Sequence, residues 1–163
     1  MLRNEMETML NNIKERLNKE DISITYYTTA YNNDIFVDVK LKDKDGYNKS
    51  TAFIMTDDIE EELESFVHYF KCYVYRMKLE AELNKELDKA KDKFEALKCL
   101  VSCYSDLYSL CIRYDLLGVL ELKKANKNSI TALDNLDNKV YLKAKDFEKL
   151  YTKGDTIKLY ELY

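Results

Sequence analysis

The longest regular pattern in this sequence lies between residues 56 and 117, a stretch that contains no glycine and no proline. Apolar residues recur there at steps of three and four, in one series and then in a second series that is out of phase with the first. Such steps predict amphipathic helix. The first series is Ile59, Leu63, Phe66, Phe70, Tyr73 and Met77, and the second is Leu83, Leu87, Ala90, Phe94, Leu97, Val101, Tyr104, Tyr108 and Cys111.

The change of phase leaves two interpretations open for about residues 57–117, one long helix or a helical hairpin. Continuing the first series would put Glu80 and Asn84 on the buried side. One unbroken helix would be about 90 Å long at about 1.5 Å per residue, which favours a break between Met77 and Lys85. Without a break, the second series, residues 83–111, would need a second copy of the chain to bury it, as in a coiled-coil homodimer.

Before this region, the pattern predicts one helix and three strands. Apolar positions repeat at helical spacing from Leu2 to Leu17, and they alternate with polar positions in residues 22–28, 35–41 and 47–55. Turn residues around Asn32 and Gly46 join the three strands into an antiparallel meander. The helical region is expected to start at or next to Asp57, since acidic residues crowd its first turns.

The tail after Gly118 is expected to be a small mixture of strand and helix. Residues 119–124 and 130–136 are interpreted as helical turns, 140–142 and 156–162 as strands, and 146–151 as a short helix. The sequence therefore predicts a single α+β domain over residues 1–163. Its parts are a helix with a β-meander (1–56), a long helical region (57–117) and a tail that packs back (118–163).

Composition and charge narrow the classes of function. The 163 residues are 46% apolar with a net charge of −4, and no apolar run reaches the length of about 20 residues that a membrane helix needs. The first residues, 1–7, are charged and periodic, which excludes a secretory signal and predicts a cytoplasmic protein. Without a concentrated basic face, direct binding to nucleic acid is not expected.

The order of elements over residues 2–77, helix, three strands and helix, resembles the double-stranded RNA-binding domain. That resemblance implies a lysine cluster at the start of the last helix, where such domains contact phosphates. Here the same place holds carboxylates instead: Asp57, Asp58, Glu60, Glu61 and Glu62. Binding to duplex RNA is therefore not expected.

Asp38-Val39-Lys40 resembles the D/E-x-K element of metal-dependent nucleases. The resemblance implies a Mg²⁺ ion held by two carboxylates and a lysine that orients water, with Asp21 or Asp34 as the second acid. However, a hairpin that turns at Asn32 and Asn33 places Tyr27 or Thr28 opposite Asp38. We therefore expect no catalytic residue, no cofactor and no metal site, and keep a nuclease with a degenerate site as an alternative.

Two other residue types offer candidate chemistry. The only histidine, His68, is interpreted as a surface or core-edge residue, and the four cysteines, Cys72, Cys99, Cys103 and Cys111, as buried free thiols. Tyrosine, with fourteen copies, is enriched at binding interfaces but also lines helix seams.

The favoured function is a non-enzymatic acidic module that binds a protein partner, the basic surface of a nucleic-acid-handling complex. Small acidic phage-encoded inhibitors of host defence, anti-CRISPR proteins among them, are similar in size and composition. The alternative is a homodimeric coiled-coil assembly or adaptor protein that associates through residues 83–111. The expected partner-binding residues are Asp57, Asp58, Glu60, Glu61, Glu62, Glu64, Tyr69 and Tyr73.

Overall fold

The computed structural model describes residues 3–114, 118–151 and 154–162. The chain divides into two compact units, Met1–Tyr75 (unit 1) and Arg76–Tyr163 (unit 2). An N-terminal helix, a three-stranded antiparallel meander and a long helix are followed by a five-stranded antiparallel sheet with short helices. The predicted α+β fold class is confirmed, whereas the single domain over residues 1–163 stays a prediction.

Unit 1 contains the elements that alternation and turn residues predict. They are α1 (Arg3–Asn18), β1 (Ile22–Tyr31), β2 (Asp34–Asp43) and β3 (Asn48–Ile54), and α2 (Ile59–Lys89) starts in this unit. The strands pair antiparallel in the order β1-β2-β3. The helix predicted to start at or next to Asp57 begins two residues later.

Both turns of the meander have the backbone geometry that their residues favour. Asn32 and Asn33 have φ angles of 50° and 69°, and two positive φ angles in a two-residue loop are typical of the type I′ hairpin turn. In the second turn, Asp43 Oδ1 accepts the backbone N–H of Tyr47 at 2.9 Å, while Gly46 has a φ of 93°. These local contacts explain why the meander was predictable from sequence.

One face of the meander is covered by α1 and by the part of α2 in unit 1. The inward residues of the strands are those that alternation predicts, and the first apolar series of α2 packs on them from Ile59 to Tyr73. The buried residues are Met6, Met9, Leu10, Ile13, Leu17, Ile22, Ile24, Val37, Val39, Leu41, Ile59, Leu63, Val67 and Phe70.

Unit 2 is a five-stranded sheet with helices on one face. After the end of α2 come α3 (Lys93–Tyr104), β4 (Tyr108–Tyr114), β5 (Gly118–Ala125), β6 (Ile130–Leu133), β7 (Lys139–Leu142), α4 (Ala144–Leu150) and β8 (Ile157–Glu161). The strands lie in the order β7-β6-β5-β4-β8, and every pairing is antiparallel. The predicted strand over 140–142, helix over 146–151 and strand over 156–162 are thus confirmed within a residue or two.

Three segments that the helical pattern included are strands instead. Residues 108–114 form β4, 118–125 form β5 and 130–133 form β6, while residues 115–117 lie outside the described part of the chain. Along β4, Leu110 and Ile112 face the core and Arg113 is exposed, while Cys111 is also buried but lies on the opposite face of the strand. The steps through Tyr104, Tyr108 and Cys111 imitate a helix over a segment too short to separate the two periods.

The break in the helical region also lies later than predicted. α2 continues to Lys89 without interruption through residues 77–85, and the chain leaves the helix between Lys89 and α3. Asp92 caps α3, because its side chain accepts the N–H of Glu95 at 3.2 Å. The hairpin interpretation was therefore right about a break and wrong about its position.

The second apolar series is buried by the sheet of unit 2. Leu87 and Leu97 are fully buried among residues of β4, β5, β6 and β8, together with α4. These contacts remove the reason for which a second copy of the chain was invoked, although the oligomeric state itself stays a prediction. The core consists of Leu83, Leu87, Phe94, Leu97, Leu100, Val101, Leu110, Ile112, Leu120, Leu122, Ile130, Ala132, Leu142, Phe147, Tyr151, Ile157 and Leu159.

Two polar side chains of α2 occupy the outer edge of β8. Asn84 Nδ2 donates to the Ile157 carbonyl at 3.1 Å, and Asn84 Oδ1 accepts the Ile157 N–H at 2.8 Å. Glu80 is 6% exposed and accepts the N–H of Leu159 at 2.6 Å. Since unpaired backbone groups at a buried edge are costly, these side chains take the place of a sixth strand. They lie on the buried side, as continuing the first series required.

None of the helices in the described part of the chain combines the length and the apolar character that a membrane crossing requires.

We expect Asn84→Leu to lower the free energy of unfolding by about 1 to 3 kcal/mol, because it leaves two backbone groups of Ile157 without partners. Urea unfolding measures the loss of stability but does not locate it. Faster amide hydrogen exchange of Ile157 would locate the loss at the edge of β8. Asn11→Leu is the matched control, since Asn11 is exposed on α1, and it should change the stability by less than about 0.5 kcal/mol. Equal effects of the two substitutions would contradict this role of Asn84.

Candidate protein-interaction surfaces

The predicted acidic residues lie around the start of α2. Asp57 and Asp58 form the turn that follows β3, and Glu60, Glu61 and Glu62 occupy the first turn of the helix. All five are exposed. Their position is favourable, because the N-terminus of a helix carries partial positive charge. We call these five residues the acidic segment.

Glu64, one turn further along, is already engaged within unit 1. Both of its carboxylate oxygens accept from Arg16 Nη2 of α1, at 2.7 and 2.8 Å. A second ion pair joins Lys71 of α2 to Glu20, just beyond the end of α1. The negative charge of Glu64 is therefore paired with a cation of α1 within unit 1.

The two predicted tyrosines have different environments. Tyr69 is 51% exposed, whereas Tyr73 is half-buried, with its ring edge-on to Tyr47 at a centroid distance of 6.4 Å. Lys49 Nζ lies 4.3 Å from the centroid of the Tyr73 ring, a cation–π geometry. Tyr73 thus packs at the edge of the core, and of the two only Tyr69 is available as a surface contact.

A second surface, which was not predicted from the sequence, lies on the outer face of the meander. Tyr27, Tyr31 and Ile54 are exposed by 65%, 69% and 47%. Phe36 is half-exposed and is paired across the strands with Thr29 on one side and Ile54 on the other. The signal was present, because alternation along β2 places Phe36 on the face opposite Val37 and Val39. We call Tyr27, Tyr31, Phe36 and Ile54 the apolar patch.

The apolar patch and the acidic segment meet at one end of unit 1. Ile54 is the last residue of β3, and Asp57 follows it by three residues. At the same end of the sheet, Tyr31 is paired with Asp34 across the first turn. An apolar centre with a charged rim is the usual anatomy of a protein-binding surface.

The D-x-K element lies on the same outer face. Asp38 is paired with Tyr27, which confirms the predicted register, and Asp38 and Lys40 share one side of the strand. Asp34 is four residues from Asp38 along β2, or about 14 Å away at about 3.4 Å per residue. Asp21 precedes the end of β1 that pairs with Asp43. Neither proposed second carboxylate therefore converges on Asp38, and the described residues include no group of three or more metal-ligating side chains.

Unit 2 contains a cleft of about 400 Å³ beside the chain segment between α2 and α3. The rings of Phe147 and Tyr151 stack in it at a centroid distance of 5.1 Å, and Phe94 lies 6.0 Å from Phe147. Burial raises the pKa of the Tyr151 hydroxyl, and the Asp88 carboxylate adds to the effect. Lys93 Nζ lies 5.3 Å from the Tyr151 ring. The lining suits an aromatic ligand, and the described residues that form it include no Ser, Cys or His for nucleophilic chemistry.

The outer face of the five-stranded sheet carries a polar cluster on β4 and β5. Ser109 donates to Glu121 at 3.0 Å, and Lys123 forms an ion pair with the same carboxylate. The hydrogen bond from Lys123 holds the pKa of Glu121 below its usual value, and the bond from Ser109 acts in the same direction. Cys111, beside them, is 5% exposed, and its burial raises the pKa of the thiol.

The comparisons with known proteins add no assignment: no family model matches the chain, and no significant match was found among curated proteins or solved structures.

The prediction that all four cysteines are buried is wrong. Cys99 and Cys103 are exposed on α3, Cys72 is half-buried and Cys111 is buried. The reason is the phase of α3, whose inward positions are Phe94, Leu97, Leu100 and Val101. A helix that buries these residues turns positions 99 and 103 outward.

We expect iodoacetamide to label Cys111 at least about tenfold more slowly than Cys99 or Cys103, as measured by peptide mass spectrometry of the native protein. Because the thiolate is the reactive form and the pKa of Cys111 is raised, the labelling of Cys111 should increase only at higher pH than that of the exposed pair. In urea, where burial is lost, the four rates should converge. Native labelling of Cys111 as fast as that of Cys99 would contradict its buried position.

Proposed function

We propose that this chain is a non-enzymatic interaction module that binds a basic surface of a nucleic-acid-handling complex through unit 1. The observation that carries the proposal is the acidic segment, five carboxylates exposed together in two successive turns of chain. Unit 1 as a whole has fifteen acidic and nine basic side chains, whereas unit 2 has fifteen and seventeen. The negative charge of the protein is therefore concentrated in the unit that carries the acidic segment.

The apolar patch favours binding of a protein over unspecific binding of counter-ions. Exposed aromatic and aliphatic residues provide the contact area from which most binding energy arises, and surrounding charges orient the approach. Tyr27, Phe36 and Ile54 would supply such a centre, with Asp57 and Asp58 at its rim. Complementary charge also raises the rate of encounter with a basic partner.

A basic channel that holds guide or target nucleic acid is a partner of this chemistry. Occupying such a channel with carboxylates would exclude the phosphate backbone that it normally binds. We therefore propose that the chain inhibits a host defence complex, as proteins encoded by phages or mobile elements do. No reaction is required for this activity, since the inhibitor acts by occupancy.

In a first test, purified chain is added to guide-loaded bacterial effector complexes, and binding of target DNA is measured. We expect saturable inhibition that weakens as salt rises, because exposed charges are screened. Asp57→Asn, Asp58→Asn, Glu61→Gln and Glu62→Gln together should weaken inhibition by at least about tenfold, since they remove the steering charge.

The control variant removes the same number of exposed carboxylates from unit 2: Glu82→Gln, Glu86→Gln, Asp106→Asn and Glu148→Gln. It should inhibit like the unchanged chain, after circular dichroism has shown that both variants are folded. Equal loss in both variants would mean that only net charge matters. Equal retention in both, or inhibition that salt does not change, would contradict binding through the acidic segment.

A second test addresses the apolar patch. Tyr27→Ser with Ile54→Ser should weaken the same inhibition by at least about tenfold, as expected for residues at the centre of an interface. Because both side chains are exposed, the free energy of unfolding should fall by less than about 1 kcal/mol. Tyr75→Ser with Leu136→Ser removes a similar exposed area elsewhere and should leave inhibition unchanged. If the two pairs behave alike, the apolar patch is not the contact.

A further inference from the structure

His68 and Cys72 are neighbours on the outward side of α2, one turn apart. Cys72 Sγ lies 3.7 Å from His68 Nε2. His68 is exposed and Cys72 is half-buried. Their spacing of four residues places them on the same face of the helix.

Neither residue is needed by the core. The buried positions of α2 in unit 1 are Ile59, Leu63, Val67 and Phe70, whereas positions 68 and 72 point away from them. The charged residues on the flank toward α1 are occupied elsewhere, because Glu64 binds Arg16 and Lys71 binds Glu20. Within the described part of the chain, the imidazole of His68 and the thiol of Cys72 contact each other.

The distance between the two donors suits a shared metal ion. Zn²⁺ is bound at about 2.3 Å by cysteine sulfur and at about 2.0 to 2.1 Å by histidine nitrogen, which in a tetrahedral site puts these donors about 3.6 Å apart. The observed distance of 3.7 Å is close to that edge. Paired ligands at positions i and i+4 of a helix are also the arrangement of helical zinc motifs.

We propose that His68 and Cys72 bind a borderline divalent metal ion, Zn²⁺ or Co²⁺, through Nε2 and Sγ, with water in the other positions. Binding replaces the thiol proton by the metal: the S–H bond breaks, the proton leaves to solvent and a thiolate–metal bond forms. The described residues contain no group of three or more metal-ligating side chains. The site is consequently open, in contrast to a structural zinc site, which has four protein ligands.

The chain supplies its own control, the exposed pair Cys99 and Cys103 on α3. That pair has the same spacing but two thiols and no imidazole. In a Co²⁺ titration under reducing conditions at neutral pH, the thiolate-to-cobalt charge-transfer band should appear for the unchanged chain and for Cys99→Ser with Cys103→Ser. It should disappear in Cys72→Ser, and His68→Gln should weaken the apparent affinity by at least about tenfold.

A second readout needs no variant. His68 is the only histidine in the chain, so its ring protons give one set of imidazole signals by NMR, and these should shift in step with added Zn²⁺. A band that survives in Cys72→Ser, a band lost in the Cys99 and Cys103 double variant, or imidazole signals that Zn²⁺ does not move would each overturn the proposal.

Discussion

The hydrogen bonds from α2 to the edge of β8 are the constraint on which unit 2 depends. A strand that ends a sheet must satisfy its outward N–H and C=O groups, and β8 does so with side chains of a helix instead of another strand. Asn84 can serve both groups of Ile157, because an amide has a donor and an acceptor in the geometry of a peptide. Glu80 adds the N–H of Leu159. The buried side of α2 must therefore be polar here, although its neighbours Leu83 and Leu87 are buried in the apolar core.

This constraint explains the apparent change of phase in the sequence. Counting only apolar residues, the stripe stops at Met77 and a new one starts near Leu83, which suggests a bend. Counting buried residues, Glu80 and Asn84 continue the first stripe, and α2 is unbroken to Lys89. A buried polar residue at a regular helical position is therefore a signal of a specific backbone partner, and no local pattern identifies that partner, here seventy-three residues away along the chain.

Unit 1 was predictable because its determinants are local. Asn32 and Asn33 specify a hairpin turn, and Val37, Val39 and Leu41 specify which face of β2 is buried. The sheet of unit 2 was not, because its order requires β8 to return beside β4 after three other strands and a helix have been formed. In β4, moreover, seven residues are too few to separate a helical period from a strand period, and the preceding helix biased the interpretation toward helix.

The candidate surfaces also combine features that local sequence predicts with features that it does not. The exposure of the acidic segment could be predicted from its position at the start of a helix. The location of Phe36 on the outer face of β2 could be predicted from the alternation of apolar and polar residues. The engagement of Glu64 by Arg16 and of Tyr73 by Tyr47 depends on packing between elements distant in the sequence, which no periodicity encodes.

The position of the acidic segment also bears on why a fold tolerates so much like charge in one place. Carboxylates within about one turn of a helix N-terminus are stabilised by the partial charge there, by about 0.3 to 1 kcal/mol each. This offsets part of their mutual repulsion, and the benefit fades by the second turn, where Glu64 has its own cation, Arg16. The acidic segment lies close in sequence to the exposed Ile54 of the apolar patch, and a basic partner of the proposed kind would neutralise part of the repulsion among the carboxylates while it buries the patch.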